Sequence, residues 1–308
     1  MKDSNLSLVS LPESAPEIFQ IAERVVIAAG AKGKLPTPME DLLGASKIVH
    51  ETDPDGVVQR FLKSLNDQRR AFFQSSLQKL RGIADLRERA VYVPNDTRPR
   101  KRFADGHELG HQIIPWHNVS SNGTSSFYHD DEYTLSPRVR ELFDIEANLF
   151  SSEIIFQGRD FTRRARDYQP SFDAAFLLAD LYGASRQATL RRYVQEQDEV
   201  LALVSYLPSK FNVDACGLAT LRAPVLFGSP SFIQKYSDVQ LPPDLNSNHA
   251  WAQARDPERV CDGNIELCCG GTSVRFSWEA WWNSYNLFVL LRRKPGLSIV
   301  GRILKTKQ

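Results

Sequence analysis

Residues 98–117 read RPRKRFADGHELGHQIIPWH, and the run at their centre, His107-Glu108-Leu109-Gly110-His111, decides how the rest of the chain is read. On a helix the two histidines stand four residues apart and share one face, so both imidazoles can reach one metal ion. Glu108 is rotated away from them, where a carboxylate can take a proton from a water held by that ion. Imidazole and carboxylate donors around one open position suit zinc. HExxH fixes only three positions and arises by chance in surface helices, so its surroundings matter. Ala90–Pro94 (AVYVP) reads as a strand closed by the turn signal Pro94-Asn95-Asp96. Ile113-Ile114 continue the helix, and three of the six histidines, His107, His111 and His117, fall in this segment.

A catalytic site needs a third ligand, and two residues offer one. His117 follows His111 by six, the spacing of HExxHxxGxxH, but Ile114 stands where that pattern has Gly, and a β-branched residue resists the sharp turn made there. The alternative is Glu146, on a helix expected over 137–157 (PRVRELFDIEANLFSSEIIFQ). Leu142, Ile145, Leu149 and Ile154 are spaced for its core face. Glu146 then lies at the edge of the buried side, where a carboxylate needs a partner. Glu153 is the fallback ligand or a supporting residue.

These segments resemble a known family. Arg100-Lys101-Arg102-Phe103-Ala104-Asp105-Gly106 followed by HELGH is similar to the R-x-x-F-x-x-A-H-E-x-x-H motif of the ImmA/IrrE metallopeptidases. Glu146-Ala147-Asn148-Leu149-Phe150-Ser151-Ser152-Glu153-Ile154-Ile155 resembles its second motif, E-A-N-x-F-A-A-E-L-L. Leu178–Ala188 (LADLYGASRQA) resembles the helix pair that follows. The likeness spans about residues 15–197. It departs at Gly106, where Ala is usual, at Ser151-Ser152, which replace two alanines, and at Phe156-Gln157, which replace Met-Pro. It implies a zinc endopeptidase with His107, His111 and Glu146 on the metal and Glu108 as general base. It also implies a helix-turn-helix repressor as substrate, cut to release stress, DNA-damage or phage-defence genes. Some members carry a GAF-like sensor, which residues 198–308 would supply, with single-stranded DNA as one signal. The two readings set beside this are a nucleic-acid-binding regulator with a structural metal and a general cytosolic metalloprotease.

The remaining chain fits an α+β protein with a mostly helical, zincin-like domain over 1–197 and a smaller α+β domain over 198–308. Residues 16–30 place Ile18, Ile21, Ala22, Val25 and Val26 on one helical face, with Pro16 at the start and Gly30 at the end. Met39–Leu43 opens a short helix, and Asp55–Arg81 reads as a longer amphipathic one. Residues 118–136 are a polar loop long enough to carry function. Two helices over 171–197 break at Tyr182-Gly183-Ala184-Ser185, with Ser185 as N-cap. Beyond residue 198, VLALVSYL, APVLFG, SVRFSW and YNLFVLLRR are short β-rich runs between Pro, Gly and Asn clusters.

The 308 residues carry 38 Lys+Arg against 37 Asp+Glu, so no global field recruits nucleic acid or membrane. With 42% hydrophobic residues along the whole length, disorder is not expected. The first residues show no basic segment leading into an apolar run, and a cytoplasmic location is expected. Four cysteines, Cys216, Cys261, Cys268 and Cys269, fit a reducing compartment, with buried thiols as the default and a metal or redox role kept open by Cys268-Cys269 before Gly270-Gly271. Tyr128, His129 and Tyr133 are candidates to stabilise an oxyanion. Arg98, Arg100, Lys101 and Arg102 read as a solvated turn or a steering patch. Arg186, Arg191 and Arg192 would face DNA if Leu178–Gln195 were a helix-turn-helix, a reading the family likeness displaces. Trp278, Trp281, Trp282 and Tyr285 beside Arg292, Arg293, Lys294, Arg302, Lys305 and Lys307 could stack single strands. Core packing is the preferred reading of these aromatics.

Overall fold

The computed structural model describes residues 11–51, 54–64, 82–86, 88–94, 97–118, 127–128, 137–213, 215, 217–254 and 256–293. The fold class is α+β, with a helical N-terminal part and a C-terminal sheet. Chain contacts divide the described residues into two compact units: those within 11–163 with 179–185, and those within 164–178 with 186–293. Among the described residues no helix is long and apolar enough to cross a membrane.

In the N-terminal unit, α1 (Ala15–Ala28) buries Ile18, Ile21, Ala22 and Val26, the stripe expected from its periodicity. α2 (Met39–Ala45) follows, then β1 (Val49–Glu51) and α3 (Pro54–Ser64). The rest of the helix expected to Arg81 lies outside the described residues. β2 (Ile83–Asp85), β3 (Ala90–Tyr92) and β4 (Phe127–Tyr128) complete a small sheet ordered β1-β3-β2-β4. β1 and β3 run parallel and the other pairs antiparallel. Arg60 fastens α3 to this sheet through Glu51 at 2.7 Å and the buried Asp85 at 3.1 Å.

Two longer helices place the chemistry: α4 (Arg98–Ile113) and α5 (Pro137–Phe156). They pack closely because small residues meet where they cross. A Cβ at Gly110 would stand 3.2 Å from the Ala147 Cα, and one at Gly106 would stand 3.1 Å from Ile154 Cδ1 and press on the Ser151 hydroxyl. Ser151 Oγ in turn donates to the Phe103 carbonyl at 2.8 Å. Two of the departures from the resembled motif, Gly106 and Ser151, are therefore one complementary contact. At its other end α4 is tied to the sheet by Gln112, which donates to the carbonyls of Asp85 and Ala90.

The expected core stripe of α5 needs correction. Ile154 is fully buried, but Leu142 and Ile145 are each 40% exposed. The buried side runs through Glu146, Ala147, Phe150, Ser151, Ile154 and Ile155, because α5 packs on α1 as well as on α4. Past its end, Gln157 holds the loop after α1, donating to the carbonyls of Ala31 and Lys34 and accepting from Gly33 N. α6 (Arg159–Arg166) follows. The break between α7 (Phe172–Tyr182) and α8 (Arg186–Gln195) falls where the sequence placed it.

The C-terminal unit is built on β5 (Leu201–Val213), β6 (Ala219–Gly228), β7 (Asp244–Leu245), β8 (Val260–Cys269), β9 (Thr272–Trp282) and β10 (Leu287–Arg292). They form one antiparallel sheet ordered β7-β6-β5-β10-β9-β8. Its two central strands carry the runs LALVSY, apolar but for Ser205, and LFVLL, and every one of these residues is buried. Strands covered on both faces read this way, and each buried Leu, Val or Phe among them contributes about 1.5–3 kcal/mol. One face packs on α9 (Pro230–Tyr236) and the turn Ala250–Gln253, through Tyr206, Phe232, Trp251 and Phe276. On the other, Trp281 meets Phe176 at 4.8 Å between ring centroids, Arg186 lies over Phe176 and Arg191 over Phe227.

Trp278 and Trp281 are thus core, as preferred, whereas Tyr285 is 69% exposed. Arg191 on Phe227 and Arg192 on Glu196 are occupied within the fold rather than offered as a recognition face. Lys294, Arg302, Lys305 and Lys307 lie outside the described residues, as does Cys216. Gly270 and Gly271, both at positive φ, make the tight turn between β8 and β9. Strand alternation sends the neighbouring Cys268 and Cys269 to opposite faces of the sheet. They do not converge on one ion.

Candidate metal centre

His107, Glu108 and His111 all lie on α4, held rigid between α5 and the small sheet. The two imidazoles share one face, with Nε2 atoms 3.0 Å apart and rings nearly perpendicular at 83°. Across the crossing, Asp144 of α5 brings Oδ1 to 3.9 Å from His107 Nε2 and 3.8 Å from His111 Nε2. Among the described residues, His107, His111 and Asp144 offer ligand atoms that all lie within 4.8 Å of one another. Two imidazoles and a carboxylate are a zinc donor set, so the residues present fit that metal. Asn148, one turn beyond Asp144, accepts from His107 Nδ1 at 3.0 Å. The His107 proton therefore sits on Nδ1, and the lone pair on Nε2 is the one turned to the metal position.

Glu146, the ligand the family likeness implies, is placed elsewhere. Its side chain is 3% exposed and accepts from Trp116 Nε1 and His117 Nε2, each at 2.8 Å, and from the Ser14 hydroxyl. Two positions along a helix turn a side chain by about 200°, so Asp144 and Glu146 leave α5 on nearly opposite sides. His117 is not brought to the pair of Nε2 atoms either. It meets the outer nitrogen, His111 Nδ1, at 3.0 Å. Asp144, which was not among the residues expected from the sequence, is the carboxylate found beside the two histidines. A signal for it existed: Asp144, Ala147, Asn148 and Ser151 follow the i, i+3, i+4, i+7 pattern of one stripe, and its small members are the partners that Gly106 and Gly110 require.

Glu108 is 6% exposed and rests against the start of β2, where a Cβ on Gly82 would collide with its carboxyl. Burial, with Asp144 and Asp105 as added negative neighbours, pushes that carboxyl up to about 8. Burial also carries His111 well below the usual imidazole range, helped by His107 and His117. His117 is lowered by burial against the opposing pull of Glu146. Burial thus favours the neutral form of both rings, the form that ligation and imidazole-to-imidazole hydrogen bonding need. Tyr128 lies on β4, whereas His129 and Tyr133 fall outside the described residues.

Residues 67–193 match the family model Peptidase_M78, described as the IrrE N-terminal-like domain, and the matched stretch holds α4, α5 and the donors just described. It supports a peptidase-type domain in this part of the chain. A solved structure titled "Mycobacterium tuberculosis transcriptional regulator" is similar over 90% of this chain and 75% of its own, at 14% identity and a TM-score of 0.49. Among curated proteins no match was found.

Proposed function

We propose that the chain is a zinc-dependent endopeptidase in which His107, His111 and Asp144 hold the metal and Glu108 is the general base. One observation carries this reading: three donor groups from two helices meet within bonding reach of a single ion. Zinc held there would act as a Lewis acid on a scissile carbonyl and acidify a coordinated water. Glu108, one residue from a ligand and shielded from solvent, takes the proton of the attacking water and returns it to the leaving amine. The partly exposed Asp144 and His107 leave the solvent side of the centre open to a peptide.

Following the family likeness, the proposed substrate is a helix-turn-helix repressor cut in the cytoplasm to release stress, DNA-damage or phage-defence genes. The C-terminal sheet is the proposed GAF-like sensor, and single-stranded DNA its proposed signal. The test is to incubate the zinc-loaded chain with small helix-turn-helix proteins, beginning with any encoded beside it, and to identify fragments by mass spectrometry. A discrete cut is expected, lost in Glu108→Gln with zinc content unchanged; Asp144→Asn should lower zinc content itself. Continued cleavage by Glu108→Gln would overturn the mechanism. Digestion of unfolded casein would favour a general protease. Salt-dependent DNA binding that ignores Glu108 would favour a regulator with a structural metal.

A further inference from the structure

We propose that His117 and Glu146 are positioning residues: together they form a one-way hydrogen-bond relay that holds His111 in the tautomer able to bind a metal. The inference rests on the metal-site reading above and adds what orients the ligand.

The direction of the relay follows from its far end. Trp116 carries an indole N–H that can only donate, and it points at Glu146 Oε2 from 2.8 Å. The Ser14 hydroxyl donates to the other oxygen, Oε1. Glu146 is thus an acceptor on both sides, and the nitrogen that also reaches Oε2 at 2.8 Å, His117 Nε2, brings the hydrogen. A neutral imidazole protonated on Nε2 has a bare Nδ1. That nitrogen faces His111 Nδ1 at 3.0 Å, and two buried ring nitrogens at this separation, with no cation to bridge them, share one hydrogen. His111 supplies it. The His111 lone pair is then on Nε2, facing the equally bare His107 Nε2 at 3.0 Å on the side of Asp144, a pair of acceptors that a bound cation would reconcile.

Packing makes the direction hard to reverse. The side chains of His111, His117 and Glu146 are 1%, 0% and 3% exposed, and the His117 ring stacks on Phe143 at 4.2 Å and 22°. A flipped link would place two donors or two acceptors face to face without water to separate them. Both nitrogens of His117 and both oxygens of Glu146 are committed to these bonds, which fits orientation and not ligation. The short 3₁₀ turn Pro115–Asn118 is what delivers Trp116 and His117 to one carboxylate.

The full chain and its variants would be titrated with zinc in competition with a chromophoric chelator, and the His111 ring nitrogens read by nitrogen-15 NMR. His117→Phe keeps the ring stack but removes the relay, and should weaken zinc about 10- to 100-fold with the circular dichroism spectrum unchanged. His117→Gln, able to accept from His111 and donate to Glu146, should recover much of that loss. Glu146→Gln should stay near the parent, because a carboxamide oxygen still accepts from Trp116 and His117. A collapse of zinc binding in Glu146→Gln would make Glu146 a ligand and overturn the relay, as would parental affinity in His117→Phe. The parent protein decides independently of any variant's folding: a hydrogen on His111 Nδ1 supports the relay and one on Nε2 overturns it. Failure of the parent to bind zinc at all would instead overturn the metal site.

Discussion

At the scale of single residues, the two acids that matter are held in opposite circumstances. Glu146 is buried among donors; Glu108 is buried against backbone and other acids. In the metal-free protein the Glu108 carboxyl, at about 8 against an ordinary 4.5, keeps its proton in the folded state over a range where the unfolded chain has released it. The native form then binds more protons than the unfolded one, so stability falls as pH rises between those two values. Glu108→Gln should flatten this slope. Urea unfolding of the chelator-treated protein at pH 5 and pH 8 measures it, and an equally steep decline in the variant would show that other groups cause it. Which of Asp144 and Glu146 comes beside the histidines was not legible from the motif, since both acids precede the same Ala-Asn pair. Separating them needs the rotational phase of α5 against α4, which is a property of the crossing.

At the scale of elements, the crossing of α4 and α5 sets the distance between histidines and carboxylate. Gly110 touches the Ala147 backbone, which cannot swing aside as a side chain can. Gly110→Val should force the helices apart, lower stability by about 1–3 kcal/mol and weaken zinc binding. A thermal melt and the chelator competition report the two effects; a variant that melts and binds like the parent would show the contact to be slack. Periodicity and end signals made most elements readable beforehand: α1, α2, the α7–α8 break and the HExxH helix all stand close to where the sequence put them. The stripe of α5 misled because it serves two neighbours, so polar Glu146 and Ser151 are buried while Leu142 and Ile145 meet solvent. Burial there is decided by available donors as much as by apolarity.

At the scale of the whole molecule, a ligand that binds only the folded chain adds to its stability by mass action. Zinc at a hundred times its dissociation constant should add about 2.7 kcal/mol, and chelation should remove it. Calorimetric scans with zinc and with chelator test this, and Asp144→Asn should show little difference between them; an unchanged parent scan would speak against the site. The C-terminal sheet has a different lesson. Its strands form two meanders, β5-β6-β7 and β8-β9-β10, and only the β5–β10 pairing joins them. The β8–β9 hairpin closes over two glycines and can zip locally within microseconds. The joining strands lie roughly 80–90 residues apart, so their closure carries the loop entropy of nearly the entire unit. During synthesis β5 emerges long before its partner, and until Leu287–Arg292 arrive it presents an apolar open edge of the kind that recruits other chains. The slow step of folding and the moment of greatest aggregation hazard therefore coincide in one late strand.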